Sequence, residues 1–284
     1  MMMNETSIWQ KIIGYTLLTV VSFVFVIPFL VMISMSLASD TTNVKGLFTL
    51  IPREFVWNNY IRVFSGNNPL WKYILNSIYF TSLCIIGQVF VSSLVAYGFA
   101  RLRSSLKKYI FGILLGTMMI PGTVYIIPQF ILFSKIGWTN SYLPLIVPNF
   151  CGGAFNIFLL RQFFLGVPTT LDDAAKIDGL GYFGIYSRIL LPTMKPSLIA
   201  ISLFTFNFNW GWFQGPLIFI QDQEKFPLAL ALQTLAANQG GAMPNWHYTM
   251  VGAVILSLPP LILYFFGQKY MLEANISAGN ASLK

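Results

Sequence analysis

The chain has 284 residues, of which 56% are hydrophobic and only 9% charged, with a formal net charge of +8. A soluble domain carries roughly 25% charged residues, so this chain has too little charge to cover a water-facing surface. Disorder, a coiled coil and a plain cytosolic enzyme are excluded, and a polytopic membrane protein is the class that remains.

Charge-free runs occupy 12–39, 73–100, 109–134, 136–160, 196–221 and 226–268. Each is long enough for a spanning helix of about 20 apolar residues. The runs predict spans over 12–38, 75–100, 109–133, 141–160, 196–221 and 249–267. The last is shortened because Gln233 to Tyr248 is polar and contains glycine. The expected fold class is an all-α membrane protein with six transmembrane helices. The first run far exceeds the 7–15 residues (roughly) of a signal-peptide core and reads as a retained anchor. Cys84 and Cys151 lie inside apolar runs and make no disulfide framework.

Basic residues set the orientation. With the N-terminus in the cytoplasm, eleven Lys and Arg fall inside (Lys11, Arg101, Arg103, Lys107, Lys108, Arg161, Lys176, Arg188, Lys195, Lys269, Lys284) and six outside (Lys45, Arg53, Arg62, Lys72, Lys135, Lys225). Both termini are therefore expected in the cytoplasm. The positive charge is then a topology signal. No basic cluster with interleaved aromatics speaks for nucleic acid.

Along the chain, the first outer loop, 40–72, is rich in aromatics and amides around Trp57, Asn58, Asn59 and Tyr60. Pro121 and Pro128 are expected to kink the third span and shape a central cavity. Gly112 with Gly116, and Gly211 with Gly215, form small-x-x-x-small pairs, a weak packing signal. The fifth span carries Asn207, Asn209, Trp210, Trp212 and Gln214 within eight positions. Amides and aromatic faces suit a polyhydroxylated cargo; the same residues also suit a membrane interface or helix–helix bonding. Phe226 to Leu232 is apolar but too short to span, so it is expected to be interfacial or re-entrant.

Several engines are missing. The predicted spans carry no Asp, Glu, Lys, Arg or His, whereas ion- and proton-coupled transporters usually keep such groups in the membrane. There is no G-x-x-x-x-G-K-[ST] and no H-E-x-x-H. The single histidine, His247, reads as a solvated or interfacial residue and cannot build a metal site alone. Energy for uphill movement would come from another chain. A secondary transporter or channel, and a membrane-embedded enzyme, are the rival classes.

The loop 161–195 is the most informative segment. Thr169 or Thr170 can cap a helix, with Asp172 or Asp173 as the partner three residues on. Gly179 is placed to end that helix. A second short helix would put Tyr182, Ile185 and Ile189 on one face, with Pro192 closing it. The product is a helix, a glycine turn and another helix, with Leu171, Ala174 and Ala175 as a small docking ridge. A structural hairpin would read the same way.

The order Asp173-Ala174-Ala175, Asp178-Gly179, Ile189 and Leu191-Pro192 resembles the EAA loop of ABC importer permeases. Asn58-Asn59-Tyr60, Asn76-Ser77, Ala96-Tyr97-Gly98-Phe99-Ala100-Arg101, Pro121 with Pro128, and Pro216-Leu217-Ile218-Phe219 extend the likeness over about 55–270. The wider chain resembles the carbohydrate-uptake branch, of the smaller maltose-type permease subunit. Asp173 stands where Glu is usual and Leu180 where Ala is common, and the Gly- and Lys-containing tail matches loosely. The resemblance implies one transmembrane permease domain, 1–284, and a coupling role for Asp172, Asp173, Ala174, Ala175, Asp178, Gly179, Ile189 and Pro192. It implies a second homologous permease, two ATP-binding subunits that hold the ATP and Mg, an extracytoplasmic binding protein and a sugar cargo. No cofactor is expected in this chain. Alternating access would be driven by ATP on the partner subunits.

Overall fold

A computed structural model describes residues 8–39, 54–65, 69–237 and 246–281. Residues 1–7, 40–53, 66–68, 238–245 and 282–284, which include part of the expected first outer loop and the end of the tail, lie outside the described residues. Among the described residues every element is helical. In chain order these are α1 (Ile8–Ser36), α2 (Asn58–Ser65), α3 (Leu70–Arg101), α4 (Lys107–Thr117), α5 (Gly122–Lys135), α6 (Leu143–Ile146) and α7 (Ala154–Gly166). Then follow α8 (Thr170–Ile177), α9 (Tyr182–Gly184), α10 (Leu191–Thr193), α11 (Lys195–Trp210), α12 (Gln214–Phe219), α13 (Leu228–Ala237) and α14 (Trp246–Ala281).

Four stretches are long and apolar enough to cross a membrane: Ile8–Ser36, Leu70–Arg101, Leu143–Gly166 and Trp246–Tyr270. Two bent pairs, Lys107–Thr117 with Gly122–Lys135 (95°) and Tyr182–Thr193 with Lys195–Trp210 (78°), bring the number to six if each is one span.

Residue by residue, the helices depart from the expected spans. The run expected at 109–133 is broken sharply at 118–121 rather than kinked. Pro121 takes an extended conformation (φ −60°, ψ 137°), and a proline disfavours helix at the residue before it. Pro128 is accommodated inside α5. In the fourth run, Val147–Cys151 winds as a 3₁₀ turn, Gly152 takes φ +75°, and only then does α7 begin. The fifth run stops at Trp210 and resumes as α12. The apolar run near 228 is a helix whose Leu228, Leu230 and Ala231 are buried within the protein. Gly112 and Gly116 face open space and mark no packing seam within the chain.

The helices gather into two compact units, residues 1–70 with 232–257, and residues 71–231 with 258–284. In the first, α1 exposes apolar side chains such as Phe23, Phe25 and Phe29 over nearly its whole length. Its C-terminal end is clasped. The Asn59 amide donates to the Ser36 and Ala38 carbonyls (both 3.0 Å), and the Ser36 and Tyr60 hydroxyls pair at 2.8 Å. These bonds occupy carbonyls that a helix end leaves unpaired. His247 is buried, with its ring 4.0 Å from that of Tyr248, so of the two readings given it, solvated or interfacial, the solvated one does not hold.

In the second unit the core is built by the C-terminal half of α3, α7, α8, the 182–194 segment and α11. Ala96, Tyr97, Leu160, Phe164, Ala175, Ile185, Leu190 and Ile201 are buried together there. Ring contacts of Tyr97 with Phe164 (5.9 Å) and Tyr186 (5.3 Å) hold this cluster. The core lies at one end of the unit's helices and positions the site described next.

Candidate functional site

Helix α8 carries most of the loop residues singled out by the sequence. Its N-terminus is not closed by the expected box: Thr169 makes no side-chain cap bond. The two acids serve other partners. Asp172 turns inward to Arg101, Nε to Oδ2 3.0 Å, with both side chains at least nine-tenths buried. Arg101 Nη2 also donates to the Val167 carbonyl at 2.7 Å. Asp173 turns outward to Lys176, 2.9 Å away. That hydrogen bond and the carboxylate charge hold the Lys176 ammonium above its usual pKa.

The C-terminus follows the expected glycine stop. Gly179 has φ +81°, a conformation open to glycine without the cost that a Cβ brings. Its N–H donates to the Lys176 carbonyl (3.0 Å), and the Leu180 N–H donates to the Ala175 carbonyl (2.9 Å). This paired closure is the Schellman pattern. Asp178 is the last residue before the glycine.

The faces of α8 are sorted. Asp172 and Ala175 point into the protein. Leu171, Asp173, Ala174, Ile177 and Asp178 are exposed, Ile177 at 88%. The outward ridge is therefore Leu171, Ala174 and Ile177, and Ala175, expected on it, is instead an inner packing residue. Beyond Gly181 the chain winds as a π-helix over Ile185–Leu190. That winding moves the inward stripe to Ile185, Tyr186 and Leu190, leaves Tyr182 exposed, and keeps Ile189 half-buried. Pro192 sits in the first turn of α10, which ends at Thr193, and the chain bends by 78° there into α11.

A second feature, in the same unit, is a cavity of about 820 Å³. Its lining combines amides (Gln88, Gln129, Asn149, Asn156, Asn209, Gln214), hydroxyls (Thr123, Tyr125, Thr205) and aromatic rings (among them Phe155, Phe208 and Trp212). Of the five fifth-span residues expected on the cargo path, Asn209, Trp212 and Gln214 line it. Asn207 is exposed elsewhere, and Trp210 is buried against Phe206, rings 5.2 Å apart. Sequence reasoning missed the other amides. Each is a lone uncharged polar residue inside an apolar run, which was the available signal.

The cavity amides are held by the backbone breaks. With its amide turned so that oxygen faces Gly153, Gln88 accepts from the Gly153 N–H (2.8 Å) and from Asn156 Nδ2 (2.9 Å), and donates to the Asn149 carbonyl (3.2 Å). A Cβ at Gly153 would press on the far end of the Gln88 amide and force that side chain to shift. Asn149 donates to the Leu145 carbonyl (2.8 Å), and Asn209 to the Thr205 carbonyl (2.8 Å).

A broken, apolar helical frame with an uncharged polar cavity and a capped surface helix defines a membrane transport subunit. Residues 88–274 match the family model described as "Binding-protein-dependent transport system inner membrane component". The chain belongs to that family, and it is a permease subunit of an ABC importer, a transport component rather than an enzyme. It is 30% identical over 273 residues to the arabinooligosaccharides transport system permease protein AraQ of Halalkalibacterium halodurans, covering 95% of each chain. It is 30% identical over 271 residues to the polygalacturonan/rhamnogalacturonan transport system permease protein YtcP of Bacillus subtilis, covering 91% of this chain and 93% of that one. The lactose transport system permease protein LacG of Rhizobium radiobacter is 28% identical over 270 residues, with 94% and 95% covered. Among solved structures, one chain of a bacterial ABC transporter involved in the import of the acidic polysaccharide alginate shares the fold. Its TM-score is 0.79 at 23% identity, over 95% of this chain and 99% of that one.

Proposed function

We propose that residues 161–195 are the loop through which this permease is driven by an ATPase subunit, with α8 as the inserted helix. The observation that carries the reading is the sorting of α8: Asp172 and Ala175 anchor it from within, while Leu171, Ala174 and Ile177 project outward beside Asp173 and Asp178. Exposed apolar side chains on a rigidly capped helix suit a groove on a partner. Gly179 fixes where the helix ends, and Ile189 and Pro192 carry the chain on into α11.

Six spans, with the bent α4–α5 pair counted once and the fifth starting at α11 after the loop 161–195, are read with both termini in the cytoplasm from the bias of Lys and Arg between the loops. The chain then pairs with a second, homologous permease, two ATP-binding subunits that hold ATP and Mg, and an extracytoplasmic binding protein. The cargo is a neutral mono- or oligosaccharide. Support comes from the amide, hydroxyl and aromatic lining of the cavity, which matches sugar hydroxyls and ring faces, and from the cargo named for the arabinooligosaccharide and lactose relatives.

The test is photo-crosslinking from a benzoylphenylalanine placed at Ile177 in the assembled complex. The expected result is a covalent adduct with the ATPase subunit whose yield changes with ATP. An adduct with lipid alone would contradict the reading.

A further inference from the structure

Helix α3 touches the coupling loop at three points spaced one turn apart. Ser93, Tyr97 and Arg101 fall every fourth residue, on one face of a helix. The Ser93 and Tyr186 hydroxyls pair at 2.7 Å, and the Tyr97 hydroxyl donates to the Tyr182 carbonyl at 3.0 Å. Arg101 holds both Asp172 (3.0 Å) and the Val167 carbonyl (2.7 Å). The seam thus binds the loop before α8, within α8 and after it.

The same helix reaches the cavity. Gln88 lies thirteen residues before Arg101, a length of about 20 Å along an α-helix. It bonds Gly153 and Asn156 in the break before α7 and in its first turn. Helix α3 runs from Leu70 to Arg101 without an internal proline, unlike the broken pair α4–α5.

We propose that α3 carries the movement of the coupling helix to the cavity wall, and that the buried Arg101–Asp172 pair is the joint that makes the two move together. The proposal rests on the coupling role given to 161–195. Its physical content is simple. A push on α8 is passed on by the groups that hold α8 to its neighbours, and the ion pair ties it to a stiff one. The Arg101 fork reaches Asp172 and the Val167 carbonyl together, whereas a lysine at the same place has one nitrogen to offer. Asp172 Oδ1 and Arg101 Nε are both buried without a hydrogen bond, so the two side chains are held together as an ion pair, and the carboxylate depends on the Arg101 charge. These residues position the loop; none of them needs to touch ATP or cargo.

Hydrogen–deuterium exchange on the whole complex in lipid nanodiscs, with and without vanadate-trapped ATP, tests this without a known cargo. In the wild type, trapping is expected to change exchange at both 169–180 and 149–156. In Asp172→Asn, the change at 169–180 persists, while that at 149–156 shrinks at least about fivefold, in the usual range of a coupling between sites. Arg101→Lys, which keeps the charge and is less disruptive, is expected to fall between. If both segments respond in either variant as in the wild type, the pair is only structural and the proposal is overturned. If trapping leaves 169–180 of the wild type unchanged, the coupling role itself falls, and the proposal with it.

Discussion

The loop 161–195 and the cavity use polar groups in opposite ways. At the loop end, buried polar groups are matched to fixed partners: Asp172 to Arg101, and Tyr186 to Ser93. At the cavity end, amides border about 820 Å³ of space with part of their hydrogen-bonding capacity unused: Asn209 keeps one internal bond and Gln88 three of its four. Matched buried groups make a stiff part, because breaking any pair leaves an unpaired group in a low-dielectric interior. Amides with spare hydrogen-bonding capacity make a part that can exchange partners with a passing ligand. One region suits transmitting a displacement, and the other suits responding to it.

The largest way to break this contrast is Arg101→Ala, which strands the Asp172 carboxylate in the protein. We expect a loss of about 3–5 kcal/mol, the usual cost of removing one partner of a buried pair. It would be read as a fall in the melting temperature of the detergent-purified complex and loss of bound ATPase. Next is Gly87→Ala in α3, where a Cβ would meet the Phe150 ring at 2.6 Å. Overpacking there is expected to cost about 1–3 kcal/mol, measured by the same melt.

Gly153→Ala separates stability from transport. Its Cβ would displace the far end of Gln88, a flexible side chain, so the melt should fall by about 1 kcal/mol. The half-saturating cargo concentration for uptake should rise several-fold. An unchanged value would exclude Gln88 from the cargo path. The smallest effect is expected at the exposed Lys176–Asp173 pair. Lys176→Met should leave the melting temperature unchanged. Because the Lys176 pKa is raised, any contribution is present below its unfolded-state pKa and is lost only as pH rises through the higher folded value. The melt should therefore show no Lys176-dependent slope from about pH 6 to 8.

Much of this was legible in the sequence, for physical reasons that differ by region. Charge-free runs mark lipid exposure directly, so the helical membrane class could be read from composition. Gly179 could be read because a helix stop needs a residue that tolerates positive φ, and the residue has φ +81°. The inward turn of Asp172 could not. Its partner Arg101 is 71 positions away, and local spacing offered a capping role instead. The π-winding over Ile185–Leu190 also escaped, because a stripe counted at three and four residues misplaces side chains once the winding changes. At the cavity, Asn209, Trp212 and Gln214 stood out because they cluster. Gln88 comes from one run and Asn149 and Asn156 from another, and they meet only after folding.

The central claim is that α8 is the element driven by ATP, and Gly179 tests it most directly. Nothing lies within 4 Å of a Cβ at Gly179 or at Gly181, but only Gly179 has positive φ. Gly179→Val should therefore disturb the helix stop by about 1–2 kcal/mol of backbone strain, whereas Gly181→Ala should not. The measurement is ATP hydrolysis by the purified complex, with and without its cargo-loaded binding protein. The account predicts that Gly179→Val loses the stimulation or the ATPase subunits while Gly181→Ala keeps both. A Gly179→Val complex that assembles and is stimulated like the wild type would contradict it.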